Sequence, residues 1–229
     1  MELKEKLEKE LASLIEGFDL KFNSDGFEFS RKVGSVVYFY GGNLRAMPSK
    51  LVCDHLNAGI SFIEVEEFLT PILIESDILG KSTKGSEQWT IDISRNELLG
   101  KSKYNLLDLF HFEITTHGEI IELKSRIKKY FSLTVSKFFN EWTSLMDFKD
   151  SLEKLNSREI AIAFGTGGIF KKAVIFDMIN HKNYCKYMDQ IIDNLQAAKE
   201  ANLKEVQYFR FYKAAKLVKE RLRLKERPD

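Results

Sequence analysis

The sequence predicts an α+β fold, with an N-terminal antiparallel sheet and flanking helices followed by an all-α helical-hairpin region. Two observations favour this order. Segments with the two-residue period of a β-strand concentrate between residues 27 and 62, and turn residues separate them. After His117 the apolar residues recur mostly at helical spacing. Strands that precede helices indicate α+β rather than a doubly wound α/β fold.

The N-terminal segment predicts an amphipathic helix. One apolar stripe at spacings of three and four is formed by Leu3, Leu7, Leu11, Leu14 and Phe18. Gly17 stands where a helix of this length would end. Charged residues run through the whole segment, and this pattern argues against a secretory signal peptide.

Three strands of an antiparallel meander are expected next. Residues 27–32 alternate between two faces, and Val33-Gly34-Ser35 supplies a turn. Residues 36–40 are β-branched or aromatic, and we expect Gly41-Gly42-Asn43 to end this second strand. Residues 51–62 predict a longer third strand.

The middle of the chain mixes short elements. Residues 64–69 predict one or two helical turns that stop before Pro71. A polar loop with several glycines follows at 76–88, and residues 88–94 and 109–116 are candidate fourth and fifth strands.

The remaining chain predicts helices. After a helical stretch from 117 to 145, further helices are expected at 147–156, 158–164, 169–180, 182–200 and 204–224. We therefore expect two domains, an α+β domain at 1–145 and a helical domain at 146–229.

A glycine-rich stretch, Gly165-Thr166-Gly167-Gly168, raises the question of a phosphate-binding loop. A dinucleotide fingerprint would need a third glycine where Phe170 stands, and a second parallel strand downstream. Two fragments of a P-loop, Gly80-Lys81-Ser82 and Gly100-Lys101-Ser102, lack the earlier glycine, because Glu75 and Arg95 occupy that position. The glycines are therefore predicted to turn the chain.

The residues after these glycines predict a helical hairpin. Gly168, Phe170, Ala173 and Phe176 follow the order glycine, aromatic, alanine, aromatic, which resembles the turn between helices of tetratricopeptide-like hairpins. In this interpretation the aromatic residue fills the space between the helices, and Lys171 and Lys172 point to solvent. A second copy of the pattern at the period of 34 residues typical of such repeats is not visible.

Bulk properties restrict the class of protein. The formal net charge of the 229 residues is +1, so no global field attracts polyanions. The two cysteines, Cys53 and Cys185, are far apart in sequence and predict two buried free thiols in a reducing compartment. Because no run approaches the ~18 apolar residues of a membrane span, we expect a cytoplasmic location without membrane contact.

Several short strings occur in a suggestive order after the N-terminal helix: GFEFSR, VVYFYGG, LNAGISF, VEEFL, WTIDIS and ELKSRIKKY, with Phe138-Phe139 beyond them. This order resembles bacterial proteins built around the domain of unknown function 4304, over residues 1 to about 155. The resemblance implies a soluble bacterial α+β protein and carries no activity and no site residues.

Two groups of residues suggest chemistry only weakly. His111, Glu113 and His117 have even spacings, but Gly118 and a helix start are expected to break the strand before His117, so a metal site is not predicted. Cys53 and His55 would share one strand face, buried or exposed, at a spacing poorly suited to a nucleophile and its base.

A candidate interaction surface is formed by Arg31, Tyr38, Tyr40 and Arg45, because tyrosine and arginine are enriched at interface hot spots. Tyr38 and Tyr40 share one face of their strand, on the side of Phe27 and Phe29 or on the opposite side. The alternative is a half-buried sheet surface without a partner.

The C-terminal segment is the strongest charge feature. Residues 204–229 contain nine Lys or Arg and four Asp or Glu, a net charge of +5. A helical stripe of Phe211, Ala215, Val218 and Leu222 leaves the lysines on another face, as on the solvated side of a docked helix.

These patterns lead to three functional hypotheses. The first is a non-enzymatic protein–protein interaction module, conceivably an immunity or toxin-neutralising protein, whose partner is another protein. The second is an enzyme with a cleft between the two domains. The third is nucleic-acid binding through the basic C-terminal helix. No catalytic residue, cofactor or metal ligand is predicted.

Overall fold

A computed structural model describes residues 2–85, 88–104 and 111–225. It confirms the predicted α+β class, since an antiparallel sheet comes first in the chain and helices follow. By their contacts the residues divide into two compact units. The first unit contains Met1–Ile60 and Ile91–Thr143, and the second contains Ser61–Thr90 and Ser144–Asp229. The predicted domains at 1–145 and 146–229 stay a prediction, and the contact-based units differ from them chiefly in residues 61–90.

The antiparallel sheet has its strands in the order β1-β2-β3-β4-β5, with β6 also paired to β4. The strands are β1 (Asp19–Phe22), β2 (Gly26–Val33), β3 (Val36–Ala46), β4 (Leu51–Phe62), β5 (Ile91–Asp92) and β6 (His111–Ile114). The meander β2-β3-β4 is the one predicted, and a turn at Gly34 joins its first two strands. The candidate fourth strand shortens to β5, and of the candidate fifth strand residues 109–110 lie outside the described residues.

The predicted end of β3 at Gly41 is wrong, because the strand continues to Ala46. Gly41 and Gly42 pair with Glu28 and Phe27 of β2, and Gly26 pairs with Asn43. A Cβ atom added at Gly26 would lie 2.1 Å from the Gly42 carbonyl oxygen. The glycines therefore permit a close approach of two strands and do not break one of them.

The predicted stop of the second helix before Pro71 is also wrong. Helix α2 (Ile63–Glu75) contains Pro71 in its interior. The missing N–H costs the helix one hydrogen bond. Leu69, Ile72 and Leu73 around the proline are all fully or almost fully buried. Tertiary burial therefore outweighs the local preference to end the helix.

In the first unit, helices pack on the sheet residues, and aromatic side chains form much of the core between them. These helices are α1 (Glu2–Leu11), α3 (His117–Tyr130), a π-helical turn (Phe131–Val135) and α4 (Ser136–Asn140). Helix α1 ends at Leu11, before the last residues of the predicted apolar stripe. Leu14, which follows the helix, is still buried. A capping box between Thr116 and Glu119 begins α3, and the hydrogen bonds from the Thr115 and Thr116 backbone lower the pKa of Glu119 to about 2.

Helices at the predicted positions build the second unit after α2. They are α5 (Lys149–Leu152), α6 (Ser157–Phe164), α7 (Gly168–Met178), α8 (Tyr184–Ala201) and α9 (Val206–Lys225). Asn156 caps α6 by accepting from the backbone of Arg158 and Glu159. Among the helices of this unit, α6 packs most extensively with α7, and α8 with α9. The two pairs form two successive helical hairpins.

The close approach of β2 and β3 leads to a stability prediction. We expect Gly26→Ala to lower the free energy of unfolding by about 1–3 kcal/mol, because the new methyl group meets a backbone oxygen that cannot move away. Urea unfolding followed by tryptophan fluorescence of a Trp89→Phe background, in which Trp142 of the same unit is the one remaining tryptophan, measures the change. Gly118→Ala is the control, since only Thr116 Oγ1 at 3.8 Å lies near its added Cβ. A Gly26→Ala midpoint equal to or above that of Gly118→Ala would contradict the prediction.

Candidate functional site

The four residues of the predicted interaction surface do not lie together. Arg31 pairs across the strands with Tyr38, and both residues line a shallow cavity of about 350 Å³ with Phe139. The Tyr38 hydroxyl donates to the Trp142 carbonyl oxygen at 3.3 Å, and its ring lies 4.9 Å from that of Phe139. Arg31 and Tyr38 thus form one small half-open patch.

Tyr40 belongs to the core of the first unit. It is fully buried, and its hydroxyl donates to the Ile127 carbonyl oxygen at 3.2 Å. Its ring packs against Phe29, Tyr130 and Phe131. Burial raises the pKa of its hydroxyl well above the ordinary value. Tyr40 therefore contributes packing and is not accessible to a partner.

Arg45 belongs to a separate polar cluster with Asp54 and His111. The Arg45 Nη2 atom lies 2.6 Å from Asp54 Oδ2, and His111 Nδ1 lies 2.7 Å from Asp54 Oδ1. Burial alone would raise the pKa of Asp54, but hydrogen bonds from Arg45 and His111 outweigh it and lower the pKa. The Arg45 side chain is mostly exposed, while the carboxylate that it pairs with is buried.

The residues weighed as metal or thiol sites take other roles. His117 is the first residue of α3, and the strand that carries His111 and Glu113 ends three residues earlier, as predicted. Within the ranges 2–85, 88–104 and 111–225, no three His, Cys, Asp or Glu side chains lie close enough to hold a metal. Cys53 is fully buried, and burial raises the pKa of its thiol to about 12. Cys185 is exposed, so the prediction that both thiols are buried is wrong for it.

The glycine-rich stretch turns the chain between two helices, as predicted. Gly165 and Gly167 have φ angles of +65° and +76° between α6 and α7. The Gly168 amide donates to the Gly165 carbonyl oxygen, and the Phe170 amide donates to that of Gly167. These amides are therefore used by the turn itself. Phe170 is fully buried, and its ring lies 5.7 Å from that of Phe211 in α9, so its predicted place between the two hairpin helices stays a prediction.

Lys171 and Lys172 are not exposed, contrary to the prediction. Both residues are buried, with 5% and 4% of their surface exposed. Lys171 Nζ lies 2.8 Å from the buried Glu66 Oε1 and donates to the Trp89 carbonyl oxygen at 2.9 Å. Phe170, Ala173 and Phe176 of the same pattern are buried. A local pattern, however, contains no information about a carboxylate that is distant in sequence.

A surface that the sequence analysis missed lies where α8 turns into α9. We call residues 199–216 the hairpin tip. Its residues from Leu203 to Arg210 are all exposed, including the apolar side chains of Leu203, Val206 and Phe209 at 73%, 61% and 41%. Their three-residue spacing, off the stripe of buried Ala215, Val218 and Leu222, was the available signal.

The hairpin tip combines these apolar residues with positive charge. It contains five Lys or Arg and two Glu, a net charge of +3. The Lys199 ammonium lies 4.2 Å from the centre of the Tyr212 ring and 5.8 Å from that of Phe209. These contacts link α8 and α9 at the tip, where buried side chains are absent between Leu203 and Arg210.

Comparison with family models, with curated proteins and with solved structures finds no match. Across the described residues, no helix has both the length and the apolar character that crossing a membrane requires.

The Asp54 cluster predicts a pH-dependent loss of stability. Because the folded-state pKa of Asp54 is below its ordinary value, its contribution is complete above that ordinary value and disappears as the pH falls through the folded-state pKa. We expect Asp54→Asn to lower the free energy of unfolding at pH 7 by about 1–2 kcal/mol. Urea midpoints between pH 7 and pH 2 should show the two proteins converging in acid.

The neighbouring carboxylate provides the control for this experiment. Glu113 is half exposed, pairs with Lys50 and makes only a long contact of 3.5 Å with His111 Nε2. We therefore expect Glu113→Gln to change the unfolding midpoint far less than Asp54→Asn. An Asp54→Asn deficit that is constant from pH 7 to pH 2 would contradict the assigned role.

Proposed function

We propose that the protein is a non-enzymatic interaction module that binds another protein through the hairpin tip. The observation that carries the proposal is the exposure of Leu203, Val206 and Phe209 on adjacent turns of one hairpin. Folded proteins keep large contiguous apolar patches out of water unless a partner covers them. The exposed side chains supply the apolar centre of an interface, and the surrounding lysines supply its polar rim.

The charge of the hairpin tip selects the chemistry of the partner. With a net charge of +3, the tip is attracted to a surface that is negatively charged around an apolar groove. A helical hairpin that inserts its apolar residues into such a groove follows the helix-in-groove mode of recognition. We therefore propose an acidic protein with an apolar groove as the partner.

Nucleic-acid binding is less well supported by the same surface. Bases stack on free aromatic faces. The Tyr212 ring, however, already has the Lys199 ammonium at 4.2 Å and the Lys216 ammonium at 5.6 Å. These lysines serve the hairpin and reduce the aromatic area that remains for a base.

Three other interpretations of the sequence stay predictions. An immunity-like role and the resemblance to the domain of unknown function 4304 agree with an α+β protein that works by binding. An enzyme with a cleft between two domains stays a prediction.

Photo-crosslinking in the cells that naturally produce the protein tests the proposal. A photoreactive phenylalanine analogue at position 209 is expected to capture one acidic protein. Phe209→Asp and Leu203→Asp should then weaken the binding of that purified protein by tenfold or more. Each substitution removes an apolar anchor and introduces a negative charge that the acidic partner repels.

Ile162 of α6 provides the matched control, since it is an apolar residue with 45% exposure outside the hairpin tip. The analogue at position 162 should not capture the same protein, and Ile162→Asp should leave its affinity unchanged. Capture of only nucleic acid, of only a second copy of this chain, or of the same proteins at both positions would overturn the proposal.

A further inference from the structure

A second candidate site lies in the second unit, away from the residues of the hairpin tip. A cavity of about 590 Å³ is bordered by the first residues of α6, by α7, and by the first turns of α8. Its lining includes the polar residues Asn156, Lys172, Asn183 and Lys186 and the aromatic rings of Phe176 and Tyr187. The lining is therefore mostly polar, with a smaller apolar part, and a concave site with convergent polar groups can hold a small polar molecule.

Lys172 is the unusual member of this lining. Its ammonium donates to the Leu155 carbonyl oxygen at 3.3 Å, a long contact for one of its three N–H donors. The centres of the Phe176 and Tyr187 rings lie 5.3 Å and 4.9 Å from Nζ. In the part of the chain that the structure describes, no carboxylate forms an ion pair with this ammonium, although the residue is only 4% exposed.

The preceding residue shows what a structural lysine looks like in this fold. Lys171 is equally buried, but Glu66 lies 2.8 Å from its ammonium and the Trp89 carbonyl oxygen accepts a second bond. Buried charges are ordinarily paired in this way, because an unpaired one carries a large desolvation cost. The contrast between two adjacent lysines indicates that Lys172 lacks a counter-ion which something outside the chain can supply.

The nearest carboxylate, Glu153, is directed to other partners. Its Oε1 atom lies 3.1 Å from His181 Nε2 and accepts from Asn183 Nδ2 at 2.8 Å. The Asn183 backbone N–H donates to His181 Nδ1 and fixes the orientation of that ring. Burial lowers the pKa of Lys172, and the charge of Glu153 offsets only part of this effect.

The charges and walls of the cavity define the ligand that would fit. Lys172 and Lys186 supply two positive charges and Glu153 supplies one negative charge, so the lining has a net charge of +1. A monoanion neutralises this charge, whereas a dianionic phosphate would meet Glu153 with excess charge. The half-buried side chains of Leu155 and Tyr187 in the lining offer apolar area for the rest of the molecule.

From these contacts we propose that the cavity binds a small organic monoanion. Its carboxylate accepts a hydrogen bond from the Lys172 ammonium, and its apolar body lies against Leu155 and Tyr187. Lys186, at the exposed edge of the lining, attracts the anion and contributes a second, weaker contact. This site is independent of the protein interaction proposed above.

Titration of the full-length protein with benzoate, followed by amide chemical shifts, tests the proposal. Benzoate is expected to produce saturable shifts at Asn156, Asn183 and Tyr187, the backbone positions around the cavity. Benzamide, a neutral molecule of nearly the same shape, should bind at least tenfold more weakly, because it cannot neutralise Lys172.

Two matched variants separate a ligand-binding lysine from a structural one. Lys172→Met should lose benzoate binding and keep or raise the melting temperature, because it removes a buried charge that has no ion-pair partner. Lys171→Met should lower the melting temperature, because it leaves the Glu66 carboxylate buried without its cation. The exposed Lys186→Met variant keeps the fold and should weaken benzoate binding severalfold.

Three results would overturn the proposal. They are equal affinity for benzoate and benzamide, benzoate affinity that is unchanged in Lys172→Met, and shifts that spread over the protein without saturation. Should Lys172→Met fail to fold, the other measurements decide the proposal. The benzamide comparison and Lys186→Met measure the binding site independently of that variant.

Discussion

The ion pair between Lys171 and Glu66 is the contact on which the second unit depends. Thr90 donates its hydroxyl to the Glu66 carboxylate at 2.7 Å and accepts the Phe62 amide at 3.0 Å. The Trp89 carbonyl oxygen accepts from Lys171. This network joins the start of α2, the segment before β5 and helix α7. It therefore explains why Ser61–Thr90 packs with Ser144–Asp229 in one unit. Buried ion pairs often cost as much desolvation as they gain, so its role is to specify one arrangement.

Two glycines near this network allow other segments of the chain to pack closely against α2. A Cβ atom added at Gly85 would lie 2.8 Å from the Glu66 carbonyl oxygen, and one added at Gly167 would lie 2.8 Å from Leu73 Cδ1. The glycine turn between α6 and α7 thus serves packing against α2 as well as chain reversal. The same dense environment tolerates Pro71 within α2, because burial of its neighbours outweighs one lost hydrogen bond.

Periodicity predicted the element types well and the long-range partners poorly. The strands at 27–32 and 51–62 and the helices after 157 follow from local patterns, because their apolar faces repeat within each element. The path of β3 through Gly41 and Gly42 depends on the neighbouring strand, and the burial of Tyr40 depends on Ile127 of α3. The exposed apolar residues of the hairpin tip were visible in the sequence, but only the fold shows that nothing in the described chain covers them.

Lys171 and Lys172 are adjacent on α7 but have different physical roles. The sequence alone does not distinguish these roles. Successive residues differ by about 100° around a helix, so Lys171 faces Glu66 while Lys172 faces a cavity. A fold that could place one carboxylate against a buried lysine would gain stability by placing a second one. Glu153 lies near enough to influence Lys172, yet its contacts are with His181 and Asn183. The unpaired charge of Lys172 costs stability. Such a cost is retained where a binding site needs the charge, because a lysine that is already paired within the protein could not pair with a ligand.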